Sequence, residues 1–351
     1  MKKRIRKTHR AISLAVAAFW LVQVLTGVTL QFHQEIDSLT LPDAEYSLDF
    51  DAIDGSLANM LAGRPGSRVP FAYVANGSFG AFDAYVVDAS GSYSVLRIDG
   101  QGMVHRELPS NPEILDAGLF ELVLELHAKL WAGDLGHIIV GVSGFLLFTN
   151  MMLGLKLAWP KRGTWKKAVS WPRVTTGPAG MYGFHRALGL AFIVPATLFV
   201  GAGVLLAWED QLAVPFGAPQ PAPEVAAVPN LNAVGLAKAV AAAQDRFPQA
   251  KVSMFTLPSS TKPYYRIRLL QAGELRRLYG ETTVYVDAQD GKVLKAYDAL
   301  ALPVGQRFLN SFYGIHTGGT FGLIGRLLSI ITGLWLLAMM VFGLRLWWLR
   351  R

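Results

Sequence analysis

The chain has 351 residues, of which 52% are hydrophobic and 17% are charged, and its mean hydropathy is positive at +0.32. This balance is far from that of a soluble globular protein and indicates a membrane protein. The net charge of +8 favours an orientation signal over a nucleic-acid surface. The absence of cysteine excludes disulfides, iron–sulfur clusters, thiolate zinc sites and covalently attached haem.

Four apolar runs approach or exceed the roughly 20 residues that a helix needs to cross a bilayer. They lie at about 11–32, 137–158, 187–208 and 327–348. The first run follows a basic start, but it is too long for a secretory signal and no small-residue cleavage site follows it, so we interpret it as a membrane anchor. Pro195 predicts a bend in the third span, because proline leaves a backbone carbonyl unpaired.

The distribution of charge predicts the orientation of these spans. Residues 1–10, 156–186 and 345–351 contain Lys and Arg but no Asp or Glu. By the positive-inside rule, both termini and the inner link are cytoplasmic, and the two long remaining segments lie outside. The predicted parts are 1–33 (first span), 34–126 (outer), 127–158 (second span), 159–184 (inner link), 185–208 (third span), 209–315 (outer) and 316–351 (fourth span).

Both outer segments have the pattern of a small α+β module. In the first, apolar alternation between residues 71 and 108 is interrupted by turn dipeptides such as Asn-Gly and Asp-Gly, which predicts strands joined by hairpins. His105 falls among these strands and is expected at the surface. In the second, an amphipathic helix at about 232–248 precedes further strands. Residues 113–131 return to helical spacing and predict a helix on the outer membrane surface.

The membrane segments occur twice in the sequence. Residues 127–162 align without a gap on 316–351, and residues 9–30 align without a gap on 185–206. The chain is therefore two copies of one plan, which predicts parallel repeats related by an axis along the membrane normal. Four of the seven histidines fall at aligned positions, namely His9 with His185 and His127 with His316.

Parallel repeats place aligned residues opposite each other, so these histidines should form one facing pair in each leaflet. Two neutral imidazoles are the axial ligands of a six-coordinate b-type haem. We predict two b haems, the inner held by His9 and His185 and the outer by His127 and His316. Zinc is a weaker alternative because no carboxylate lies at ligand spacing, and a hydrogen bond to a neighbouring helix is the alternative for any single histidine. Glycines that offer room for the porphyrin, or merely for close helix packing, are Gly27, Gly203, Gly144, Gly154, Gly333 and Gly343.

Other basic residues lie near the predicted sites. His33 and His137 are alternative ligands of the outer haem, although the duplication does not support them. Arg10, Arg186 and Arg326 are candidates to pair with haem propionates, and snorkelling to the membrane interface is the alternative.

Three motifs resemble those of a known family. They are L-H-x-x-L-x-x-G-x-x-G at 126–136, H-R-A at 9 and 185, and V-Y-V-D-A-x-x-G-K-V-L at 284–294. They are similar to the PepSY-associated transmembrane family, and the second outer segment matches its PepSY module better than the first. Members include inner-membrane ferric-siderophore reductases of the ferrioxamine reductase type, which implies a multi-pass protein of the bacterial inner membrane and electron transfer through b haems to the periplasm. The second copy departs from the motif at Gly319, where the first has Leu130.

We therefore expect a membrane α-helical fold, with four transmembrane helices in two parallel repeats and two small periplasmic α+β PepSY-like modules. The expected activity is haem-dependent reduction of a periplasmic ferric siderophore, with electrons from an unidentified cytoplasmic or membrane donor. One rival is a haem-free PepSY protein that regulates a protease or binds a ligand. Another is a haem carrier that delivers electrons to a protein or a quinone.

Overall fold

The computed structural model describes residues 2–33, 35, 47–75, 78–109, 119–172, 177–216, 220–275 and 279–350. The helices are α1 (Lys2–Leu30), α2 (Phe50–Ala62), α3 (Leu119–Lys129), α4 (Gly133–Ala158), α5 (Trp165–Val169), α6 (Gly177–Ala191), α7 (Ile193–Ala207), α8 (Glu209–Phe216), α9 (Leu236–Arg246), α10 (Val304–His316) and α11 (Gly322–Trp348). The strands are β1 (Arg68–Ala75), β2 (Ser78–Val87), β3 (Tyr93–Asp99), β4 (Val104–Pro109), β5 (Lys251–Thr256), β6 (Tyr264–Leu270), β7 (Thr282–Asp287) and β8 (Val293–Tyr297).

The chain divides into two compact units. The helical unit comprises residues 1–32, 123–212 and 312–351, and the sheet unit comprises residues 33–122 and 213–311. The helix predicted at 113–131 corresponds to α3, while positions 113–118 of that prediction lie outside the described residues.

Three described helices, α1, α4 and the one that ends at Trp348, are long and apolar enough to cross a membrane. A fourth span arises if α6 and α7, which meet at 67°, cross together as one broken helix. The break lies just before Pro195, the third residue of α7. Proline has no N–H for the carbonyl of Ala191 four residues earlier, so the helix cannot continue straight. The predicted bend is therefore present.

The membrane helices pack side by side within the helical unit. Helix α1 contacts α4 and α11, α7 contacts α4, and α6 contacts α11. Two buried indoles find acceptors: Trp20 Nε1 donates to Ser143 Oγ at 3.1 Å, and Trp335 Nε1 donates to the carbonyl of Leu188 at 2.9 Å. These bonds matter because an unpaired donor is costly in a membrane interior. The apolar core that the helices share contains Val24, Met151, Ala196, Trp335 and Leu336.

The eight described strands of the sheet unit form one antiparallel sheet, in the order β4-β3-β2-β1-β5-β6-β7-β8. Each outer segment contributes a helix followed by four strands, in agreement with the predicted α+β pattern. The segments are not separate modules, however, because β1 pairs with β5 through Ala72↔Phe255 and Tyr73↔Met254. The strand order is symmetric about this central pair.

Helices α2 and α9 supply the apolar side chains that pack against the sheet. The shared core includes Ile53 and Leu57 of α2 and Leu236 of α9, all fully buried. The two helices are also joined by a polar contact, since the amide of Leu236 donates to Asp54 Oδ2 at 2.9 Å. Gly235, at the N-cap of α9, has no side chain for this purpose. Thus a carboxylate from the first segment caps a helix of the second.

Replacing the capping carboxylate should loosen α9. Asp54→Ala removes the acceptor of the Leu236 amide, and loss of a helix N-cap costs about 1 kcal/mol. We expect hydrogen exchange of the amides at the start of α9 to accelerate about fivefold, the factor that corresponds to this energy. Mass spectrometry of the full chain in detergent measures it. Asp54→Asn keeps an acceptor oxygen and is the matched control. Equal protection in Asp54→Ala and the native chain would show that the cap contributes nothing.

Candidate functional site

Two pairs of histidine rings lie within the helical unit. In the first pair, the ring centres of His9 and His185 are 6.4 Å apart, and in the second pair, those of His127 and His316 are 6.2 Å apart. The structure therefore brings together the residues that the duplication aligns. The two pairs lie toward opposite ends of α1. His9 of the first pair is near the start of this helix, and Gly27, which contacts His127 of the second pair, lies 18 residues or about 27 Å further along it.

Helix ends position the second pair. His127 lies in the last turn of α3, and His316 is the last residue of α10. A left-handed residue follows each, with φ of +54° at Leu130 and +76° at Gly318, and it turns the chain toward the next membrane helix. Leucine in this conformation is strained by about 1 kcal/mol, whereas glycine is not.

Each ring of the second pair lies against a glycine of another helix. A Cβ at Gly203 of α7 would stand 2.6 Å from Cε1 of His316. A Cβ at Gly27 of α1 would stand 3.0 Å from Cε1 of His127. These two glycines occupy aligned positions, and a larger residue at either would press on the ring.

The first pair has the same arrangement. A Cβ at Gly154 of α4 would stand 3.2 Å from Cε1 of His9, and one at Gly343 of α11 would stand 3.4 Å from Cε1 of His185. These glycines are also aligned with each other. All four rings thus occupy surfaces from which the Cβ atom is missing.

The carbonyl four residues before each glycine faces the same ring. In the second pair, the Nδ1–H of His127 donates to the carbonyl of Gln23 at 3.0 Å, and that of His316 donates to the carbonyl of Phe199 at 2.9 Å. Because a carbonyl can only accept, Nδ1 carries the proton in both rings. The lone pair therefore lies on Nε2, the nitrogen that can bind a metal.

In the first pair, the Nδ1–H of His9 donates to the carbonyl of Asn150 at 3.0 Å. His185 interacts with the backbone of Met339, the residue aligned with Asn150. Its Nδ1 nevertheless forms no hydrogen bond of normal geometry within the described part of the chain. Three of the four rings are thus fixed by a full hydrogen bond.

Two polar residues that the sequence analysis did not single out also reach these rings. Thr26 Oγ1 is 3.0 Å from Nδ1 of His127, and Asn150 accepts from Nδ1–H of His9 through its backbone carbonyl. The sequence held one signal for these residues, which is their position beside glycines that contact a ring. Thr26 lies one residue before Gly27, and Asn150 lies four residues before Gly154.

The alternative ligand His137 has a different contact. Its Nε2–H donates to the carbonyl of Ala207 at 2.9 Å, at the end of α7. Arg326, the residue aligned with His137, donates from Nε to the carbonyl of Gln31 at 2.9 Å, just beyond α1. The last carbonyls of a helix have no partner within it, so both side chains serve as C-terminal caps.

The other two candidate propionate partners also differ from each other. Arg186 donates from Nε to the carbonyl of Ala158, the last residue of α4, at 3.0 Å. It caps that helix as Arg326 caps α1. Arg10 is exposed near the start of α1. Helix capping is a use of Arg186 and Arg326 that the sequence analysis did not consider.

Two histidines belong to the sheet unit. The ring centre of His33 is 4.4 Å from that of Phe120. His105 was expected at the surface, and this prediction is wrong: its side chain is 5% exposed, and Nε2 lies 2.8 Å from the carboxylate of Asp99. The carboxylate also accepts from backbone amides of the β3–β4 turn, so the histidine closes a polar network that strand alternation does not reveal.

Among the described residues, no group of three or more His, Asp and Glu side chains is arranged to hold a metal ion. The four paired rings instead provide two sets of facing imidazoles.

Comparison with known proteins identifies the family. The model of the PepSY-associated TM region matches residues 6–350, nearly the whole chain. No curated protein matches the sequence. The protein therefore belongs to the PepSY-associated transmembrane family, as its motifs suggested.

Proposed function

We propose that the protein binds two b-type haems, one between His9 and His185 and one between His127 and His316, and that it passes electrons across the inner membrane to a periplasmic ferric siderophore. The observation that carries the proposal is the spacing of the two ring pairs, 6.4 and 6.2 Å. Family membership is consistent with this role.

The spacing suits a single metal between each pair of rings. A metal–imidazole bond is about 2 Å long and a ring nitrogen lies about 1 Å from the ring centre, so a shared metal requires ring centres roughly 6 Å apart. The protonated Nδ1 atoms leave Nε2 for coordination. The residues present therefore fit a bis-imidazole haem, whose chemistry when bound is the gain and loss of one electron.

The protein's own contribution is to fix the ligands and to separate the two sites. Backbone carbonyls set the tautomer of three of the rings, and the glycines let the Cε1 edge of each ring approach a neighbouring helix closely. Val24, Ala196 and Trp335, which lie between the residues of the two pairs along α1, α7 and α11, belong to one apolar core.

The direction of transfer follows from the predicted orientation. The basic segments favour a cytoplasmic position for both termini and the first pair, where an electron enters from a cytoplasmic or membrane donor. The second pair then faces the periplasmic side and delivers the electron to the ferric chelate. A haem-free regulatory protein would account for the sheet unit, but it gives no reason for four rings held on glycines.

Alanine substitutions of the ligands should remove the haems one at a time. His9→Ala or His185→Ala should abolish the low-spin signal of the first haem and leave the second, and His127→Ala or His316→Ala should do the reverse. With the protein in proteoliposomes, the rate of reduction of an external ferric hydroxamate should fall at least tenfold in all four variants. Reduced-minus-oxidised spectra and haem quantitation measure binding.

The controls for these variants are His137→Ala and His33→Ala, which should keep both signals. The Nε2 of His137 already donates to Ala207, and His33 lies against Phe120. If the protein is produced with sufficient haem and still carries none after purification, the proposal is contradicted. Loss of the second signal in a control but not in His127→Ala would show that the ligands are assigned wrongly.

The glycine contacts predict a graded effect. A methyl group at position 203 would stand 2.6 Å from the His316 ring, which must move, whereas one at position 343 would stand 3.4 Å from the His185 ring, an ordinary contact. We expect Gly203→Ala to lower the low-spin content of the second haem severalfold, and Gly343→Ala to leave the first nearly unchanged. Spectra of the two purified variants make the comparison. Equal losses in both variants would mean that these distances do not govern ligation.

A further inference from the structure

A threonine adds a second acceptor to one ring of the second pair. Thr26 Oγ1 bonds to the carbonyls of Val22 at 2.8 Å and Gln23 at 3.0 Å, and these can only accept its hydroxyl proton. Toward Nδ1–H of His127, 3.0 Å away, the same oxygen is therefore an acceptor. The proton of His127 is thus shared between a carbonyl and a hydroxyl. Thr26 is only 8% exposed, so water does not compete for it.

An asparagine holds one ring of the first pair. Its backbone carbonyl accepts from Nδ1–H of His9 at 3.0 Å. Its Nδ2 donates to Ser13 Oγ at 2.9 Å, and Ser13 in turn donates to the carbonyl of His9 at 2.7 Å. The side chain therefore ties the residue whose carbonyl faces the ring to the backbone of His9, and Asn150 is only 5% exposed.

The other copy of the repeat has no equivalent groups. Ala202 stands at the position aligned with Thr26, and Met339 at the position aligned with Asn150. Alanine cannot add a second acceptor to the His316 ring, which donates to the carbonyl of Phe199. Each site therefore combines one imidazole with an additional polar neighbour and one without it.

We infer that Thr26 and Asn150 are positioning residues that set the reduction potentials of the two sites separately, Thr26 through His127 and Asn150 through His9. This inference rests on the proposed haem function. A second acceptor at Nδ1–H, as Thr26 provides, or a more firmly held carbonyl acceptor, as the Asn150 side chain provides, makes the imidazole a more basic ligand, which stabilises the oxidised metal. Each residue thus lowers the potential of its own site and leaves the distant one unchanged.

The test exchanges each residue for an apolar one in the haem-loaded full chain in lipid nanodiscs. Thr26→Val keeps the shape and removes the acceptor, and Asn150→Met introduces the residue of the other copy. We expect the reduction equilibrium constant of the affected haem to rise about threefold, or roughly 30 mV for a one-electron couple. Potentiometric titration with optical detection measures both haems, and electron paramagnetic resonance reports their ligation.

Two further variants keep the result interpretable. Thr26→Ser retains the hydroxyl and should keep the native potential. If the threonine had only a steric role, loss of its methyl group would change the potential. Ala202→Thr adds a hydroxyl beside the His316 ring and should lower the potential of the second haem while sparing the first. The two changes of the second site thus have opposite signs.

The outcomes separate this inference from the proposed function. If the native protein binds no haem, the proposed function fails. If it binds two low-spin haems whose potentials stay unchanged in Thr26→Val and Asn150→Met, this inference fails and the proposed function stands. Equal shifts of both haems in either variant also overturn it, because a general loosening of the fold would then be the cause. A shift confined to the predicted haem, with Thr26→Ser like the native chain, supports it.

Discussion

The contact between a histidine ring and a bare glycine surface of another helix is the interaction on which the helical unit depends. His9 of α1 lies on α4, His127 of α3 on α1, His185 of α6 on α11, and His316 of α10 on α7. Every membrane helix thus either gives or receives such a contact. Since the same helix also offers its carbonyl to the ring, the imidazoles are held before any ligand arrives, which is the preorganisation that a redox cofactor requires.

Main-chain carbonyls also accept hydrogen bonds from several other polar side chains of the helical unit. Trp335, His137, Arg186 and Arg326 each donate to a carbonyl of another helix or at its end. Inside a membrane, such acceptors replace the water that a soluble protein would use. Residues that seem suited to a cofactor by charge alone are therefore partly occupied in holding the helices together.

The sequence predicts the apolar spans, the α+β pattern of the outer segments and the bend at Pro195, because these depend on local periodicity and backbone chemistry. The duplication brings the four histidines into consideration, and the structure joins them in the expected pairs. The pairing of β1 with β5 could not be predicted, since alternation specifies a strand but not its partner. The burial of His105 could not be predicted either, since its partner Asp99 is a carboxylate at the end of β3.

The central strand pairing also constrains how often the chain between β4 and β5 crosses the bilayer. A hydrogen-bonded sheet cannot be divided by a membrane, so β4 and β5 must lie on the same side of it. The chain between them must then cross an even number of times. Helix α4 is long and apolar enough for one crossing, and among the described helices in that stretch the bent pair α6 and α7 is the other candidate. Parity thus favours a single span over a re-entrant loop for the bent pair.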